Sequence, residues 1–183
     1  EVQTGLGRTG AWFAHQDLGV RPDVVTIAKA LGNGMPIGAC WARAEVADSF
    51  RPGDHGTTYG GQPLAASAAL AVLETMRAED VPARARRAGE RLRAALEALD
   101  GVVAVRGRGL LLGVELAPGL DARAVAAAAL DGGLVVNPVT ADTIRLAPSL
   151  LVTDDEVDEA VALLGTALAA VAAVATTPDE EPA

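Results

Sequence analysis

The chain has 183 residues, half of them apolar, and its 15 lysines and arginines against 24 aspartates and glutamates leave a formal net charge of -9. That size and apolar content can build one ordinary domain or two small ones with a buried core, and the negative balance argues against nucleic acid or an anionic membrane as partner. The lone cysteine, Cys40, excludes an internal disulfide and a cysteine-based zinc site; it is expected to pack as a small apolar side chain, in a reducing cytoplasm.

The opening residues, EVQTGLGRTG, form a glycine-rich turn. They carry neither a methionine nor a basic segment leading into an apolar core, so a signal peptide is not expected and the chain is expected to be a fragment of a longer protein. The β-branched runs DVVTIAK (23–29) and PIGACWA (36–42) predict two strands around a second glycine-rich turn. Lys29 closes the first run. A lysine in apolar surroundings is desolvated, which lowers its pKa and frees a neutral amine to attack a carbonyl. A surface lysine beside a turn is the plainer alternative.

A third glycine-rich stretch, GDHGTTYGG (53–61), offers backbone N–H groups and two threonine hydroxyls of the kind that hold a phosphate. After it the chain changes character. Good helix formers from Leu64 to Asp80, with Pro63 near the start, predict one helix, and Pro82 opens another to about Leu99, closed by Asp100 and Gly101. The basic run Arg84–Arg93 reads as a solvated face of that second helix. A domain boundary is expected between Thr75 and Val81.

The remainder predicts a small α/β unit: strands at VVAVRG and LLLGVEL, a helix over Asp121–Leu130, strands at GLVVNP and TIRLAP, and a final helix. Thr153 followed by Glu156 is a capping-box pattern that marks where the last helix begins. Its apolar stretch, Ala160–Ala175, falls short of the roughly 20 residues a membrane span needs. The tail, TTPDEEPA, is polar and expected to be disordered over 176–183. The two histidines, His15 and His55, are far apart in sequence and lack the carboxylate and cysteine pattern of a metal site, so no metal is expected. His55 is expected to shape a turn, as are Gly107 and Gly109 in a hairpin.

A lysine on a strand end, combined with phosphate-binding turns, suggests a phosphorylated aldehyde cofactor. EVQTGLGRTG, PDVVTIAKALGNGMPIGA, HGTTYGGQPLA and IRLAP, in this order, resemble the class III aminotransferases over nearly the whole chain except the tail. The resemblance implies the aspartate-aminotransferase-like α/β fold (fold type I), with 1–75 the latter part of a large cofactor domain and 76–175 a small C-terminal domain.

It also implies pyridoxal 5'-phosphate as cofactor, with Lys29 bound to it covalently and moving a proton once released. Val2 would pack on the cofactor ring, and Gln3 would bond the ring's phenolic oxygen. Thr58 would reach the phosphate of the neighbouring subunit and Thr57 would lie near substrate, which makes a homodimer with a shared site. Arg145 would bind the substrate α-carboxylate, a task suited to a planar, bidentate guanidinium.

The aspartate before EVQ, a glycine-serine phosphate loop and an aromatic stacking residue would all lie ahead of Glu1. Gln62 departs from the family's usual asparagine. HGTTYGG and VRGRGLLLG point, within the family, to small-molecule substrates of the N-acetylornithine and 2-oxoglutarate type. Donors such as ornithine, 4-aminobutyrate or succinyldiaminopimelate are alternatives, and so is an inactive structural or partner-binding piece.

Overall fold

Val24, Val25, Thr26 and Ile27 are β-branched and favour an extended backbone. They form β1 (Val24–Ile27), which pairs antiparallel with β2 (Ala39–Ala42), Val24 opposite Ala42 and Ile27 opposite Ala39. Both strands are shorter than the runs in the sequence, because Lys29 begins a single 3-10 turn (Lys29–Leu31) and Pro36 has no N–H to give a ladder. A computed structural model describes residues 1–175, so the expected disorder of 176–183 lies outside the described residues. The chain divides into two units, Glu1–Ala85 and Arg86–Ala183.

The first unit adds two one-turn helices that the sequence does not announce, α1 (Ala14–Asp17) and α2 (Ala44–Ala47). Its long helix is α3 (Pro63–Ala78), with Pro63 in the first turn, where a missing N–H costs nothing. Ala65, Ala69 and Met76 make its buried face, and the helix packs against the lysine turn. Asp80 takes a left-handed conformation (φ 46°) that an aspartate tolerates, and this stops α3 before α4 (Val81–Glu97) begins.

The second unit is built on a four-stranded antiparallel sheet, β3 (Val102–Arg108), β4 (Leu111–Leu116), β5 (Asn137–Pro138) and β6 (Thr143–Leu146), in the spatial order β3-β4-β6-β5. β4 alternates half-buried and buried residues along its length, the signature of a sheet covered on one face. Leu112, Val114 and Ile144 are at most 1% exposed and, with Leu96, Val125, Val157, Leu164 and Leu168, make the core. Helix α5 (Ala122–Asp131) packs on β5 and β6 and on α6 (Asp154–Ala175).

The Asp121 carboxylate caps α5 by accepting from the N–H groups of Arg123 (3.0 Å) and Ala124 (2.8 Å). The reciprocal box at α6 forms as its sequence predicts: Glu156 N–H donates to the Thr153 hydroxyl (3.3 Å), and Thr153 N–H donates to the Glu156 carboxylate (2.8 Å).

Four expectations are corrected. Cys40 is exposed on β2 rather than packed, since that strand pairs only with β1. GLVVNP yields only the two-residue β5: Gly132 and Gly133 are used in ending α5, and Val135 stands 81% exposed. Gly107 belongs to β3, paired with Leu112, while Gly109 occupies the hairpin turn with φ 51°. At 22 residues, α6 is long and apolar enough to cross a membrane by length and composition, but Val157, Leu164 and Leu168 commit one side of it to the core.

The basic run on α4 is only partly a solvated face. Arg91 forms a two-point ion pair with Asp158 of α6 (3.1 and 2.5 Å), and Arg93 donates to the carbonyls of Val105 and Gly107.

Candidate active site

Lys29 stands where β1 gives way to the 3-10 turn. Its backbone lies in the left-handed region (φ 49°), which lysine seldom adopts, and its carbonyl accepts from both Gly32 and Asn33 N–H groups (3.2 Å each). Leu31 anchors the turn at 5% exposure, and a Cβ on Gly32 would collide with the Met35 carbonyl, so only glycine lets the chain close here. The Lys29 side chain is exposed and its amine makes no hydrogen bond or ion pair among the described residues. Desolvation of that amine, expected from its apolar flanks, is therefore not provided within this chain. A strained backbone at a chemically competent residue marks a functional position.

The opening turn is organised by Glu1. Its carboxylate accepts from the Thr4 hydroxyl (2.5 Å) and from His15 N–H (3.0 Å). Burial works to raise its pKa but is outweighed by these bonds and one from Ala14 N–H, which hold the carboxyl below the usual range. Leu6 (φ 58°) and Gly7 (φ 88°) then reverse the chain, burying Leu6 and leaving Val2 and Gln3 exposed on the near side of the turn.

Sequence reasoning missed an aromatic cluster centred on His15. The His15 ring stacks on Phe13 (5.7 Å between ring centroids), meets Trp41 edge-on (6.4 Å), and buries an Nε2 without a partner among the described residues. The aromatic spacing of Trp12, Phe13 and His15 is the signal that could have flagged it.

Thr57 and Thr58 lie in an exposed loop held by Gly53 (φ 96°) and Gly61 (φ 68°), just ahead of α3. Neither hydroxyl has a hydrogen-bond partner among the described residues. His55 contributes to the loop by packing edge-on against Phe50 (5.4 Å). Among the described residues no three His, Cys, Asp or Glu side chains gather as metal ligands.

Lys29, Val2, Gln3, Thr57 and Thr58 all belong to the first unit, Arg145 belongs to the second, and no hydrogen bond joins any two of them among the described residues. Arg145 sits in β6 opposite Gly113 of β4 and Asn137 of β5. It is half-buried and unpaired among the described residues, whereas the similarly placed Arg84 and Arg93 are both engaged, with Glu79 and with strand carbonyls. A half-buried guanidinium without a partner is costly unless an anion completes it.

An uncommitted amine on a pinned turn, two free hydroxyls in a glycine loop and a free guanidinium match the chemistry of an aldehyde, a phosphate and a carboxylate. The family described as Aminotransferase class-III matches residues 1–168. The chain belongs to the class III aminotransferases.

Among curated relatives, the acetylornithine aminotransferase of Corynebacterium efficiens is 52% identical over 169 residues, covering 92% of this chain and 42% of that protein. The acetylornithine aminotransferase of Mycobacterium tuberculosis is 51% identical over 167 residues, covering 90% of this chain and 41% of its own length. This chain thus spans about two-fifths of the curated relatives it matches.

Among solved structures, the ornithine aminotransferase of Toxoplasma gondii, recorded with partial occupancy of PLP at its active site, superposes with a TM-score of 0.89 at 34% identity, over 97% of this chain and 44% of that one. The acetylornithine aminotransferase of Elizabethkingia anophelis gives 0.83 at 34% identity, over 93% of this chain and 46% of that one. The fold is that of these aminotransferases.

Proposed function

We propose that the protein acts, in its whole form, as a pyridoxal-phosphate-dependent aminotransferase that passes the terminal amino group of N-acetylornithine to 2-oxoglutarate, a step of arginine biosynthesis. The observation that carries this reading is Lys29, uncommitted and strained on a turn that Gly32 alone permits. Relatives identical at about half of their matched positions and named acetylornithine aminotransferase support the choice of donor.

When bound, the cofactor supplies an aldehyde that condenses with amines and a ring that accepts electrons. The residues of this chain bind and position. Lys29 Nζ would hold the cofactor and, released, carry a proton as general base. Val2 would pack against the ring and Gln3 would donate to its phenolic oxygen. Thr58 would donate to the phosphate and Thr57 would face substrate. Arg145 would take the substrate carboxylate with its two-pronged guanidinium. We further assign residues 1–75 to the large domain and 76–175 to the small one, and infer a cytoplasmic homodimer with a shared site.

Ornithine as donor is a second reading, favoured by the Toxoplasma neighbour's higher TM-score of 0.89 against 0.83. The test is borohydride trapping with pyridoxal phosphate, read by mass spectrometry, on the 183-residue chain and on the product of any coding sequence continuous with it. A label on Lys29 that Lys29→Ala abolishes is expected. Failure to label Lys29 in either form overturns the aminotransferase reading, and faster turnover of ornithine than of N-acetylornithine overturns the donor.

A further inference from the structure

Residues directly opposed across antiparallel strands carry their side chains on the same face, and the next row along faces the other way. Val105, Val114, Ile144 and Pro138 form one such row, and the first three are at most 7% exposed, so this is the face packed into the core. The adjacent row, Arg106, Gly113, Arg145 and Asn137, runs across all four strands on the opposite face.

Each position in the row is distinct. Arg106 is held by Glu115 (3.1 Å), which neutralises it. Arg145 and the Asn137 amide are uncommitted among the described residues, although register makes them direct neighbours. Gly113 separates the two arginines and has no steric reason to be glycine: its φ is not positive, and an added Cβ would meet only Thr143 Cγ2 at 3.6 Å and the Arg106 carbonyl oxygen at 3.9 Å, ordinary contacts. A glycine inside a strand weakens the sheet and commonly marks the close approach of a ligand or another backbone.

We propose that this row is a recognition surface for a single carboxylate, in which Asn137 is a specificity-determining residue beside Arg145 and Gly113 keeps the approach to the guanidinium open. This rests on Arg145 as the carboxylate-binding residue of the proposed aminotransferase and goes beyond it by naming two further residues. With Arg106 neutralised by Glu115, the row presents one net positive charge, which suits one carboxylate rather than two. The guanidinium takes the anion end-on, and the Asn137 N–H, on the next strand, donates laterally to one of its oxygens. A molecule of the same length without the carboxylate gains nothing here.

The test uses the 183-residue chain, with N-acetylornithine and N-acetylputrescine, its decarboxylated counterpart, as probes. Chemical-shift titration follows the Arg145 Nε–H and Asn137 side-chain amide signals. N-acetylornithine is expected to shift both and N-acetylputrescine neither. Asn137→Ala and Gly113→Ala are each expected to weaken N-acetylornithine by about three- to tenfold. Asn137→Asp, which sets a competing carboxylate beside Arg145, should weaken it further, and all variants should keep the wild-type amide spectrum elsewhere.

If Arg145→Ala removes the preference for the carboxylate while Asn137→Ala and Gly113→Ala bind as wild type, the inference is overturned and the role of Arg145 stands. If Arg145→Ala also binds as wild type, or the wild type shows no carboxylate-dependent shift, both are overturned. The lysine-trapping experiment then still judges the aminotransferase reading by itself.

Discussion

Leu96, Leu110, Val114 and Ile144 of the second unit have no exposed surface, whereas in the first unit Leu18, Val20, Tyr59 and Leu64 are each more than half exposed. The first unit positions its chemistry through backbone geometry: Leu6, Lys29 and Asn33 in left-handed conformations, and glycines where the chain must turn. The second unit does so through a closed core whose sheet presents a polar row on its far face. Reactive loops rest on a sparsely buried scaffold, and the carboxylate-facing side chains on a densely buried one.

Amide hydrogen exchange tests that comparison most severely. Protection on β4 and β6 should exceed that on β1 and β2 by orders of magnitude, since exchange in sparsely buried elements needs only local opening. Equal protection would remove the contrast.

Leu96→Ala is the next largest effect: truncating a side chain with no exposed surface should cost about 2–5 kcal/mol in urea unfolding, with Leu18→Ala nearly silent by comparison. Gly89→Ala should cost about 1–3 kcal/mol, because the new Cβ would strike the backbone of Gly109 where α4 meets the β3–β4 hairpin. Asp121→Ala, which removes the α5 cap, should cost about 1 kcal/mol.

The smallest effect is a pH dependence. The Thr153 N–H and then its hydroxyl hold the Glu156 carboxyl below the usual glutamate range. A carboxyl lowered on folding stabilises above its unfolded pKa, about 4.3, and that contribution is lost as pH falls through the folded value. The melting temperature should therefore drop between about pH 6 and about pH 3.5, and drop less in Glu156→Gln.

Much of this fold was legible in the sequence because its signals are local. Thr153 and Glu156 marked the start of α6, Pro63 and Pro82 the first turns of α3 and α4, and β-branched runs the strands. The motifs around Lys29 and Arg145 were legible too, as likeness to a family. Three features were not. Lys29's left-handed backbone depends on the Gly32 carbonyl accepting from Met35 N–H (3.0 Å), a closure invisible in composition. The shortness of β5 depends on Gly132 and Gly133 being drawn into the end of α5. The row through Gly113 depends on a register across four strands, which no single run encodes.

The ends of the four-stranded sheet carry a further consequence. One outer strand is β5, two residues long and closed by Pro138, which has no N–H to offer; the other is β3, irregular between Val102 and Ala104 and studded with Arg106 and Arg108. An outer strand with free backbone groups invites a stranger to zip onto it, and proline, charge and bulges are what discourage such growth. At high concentration this sheet should stay solitary, while the uncapped ribbon of β1 and β2 is where fibres would start.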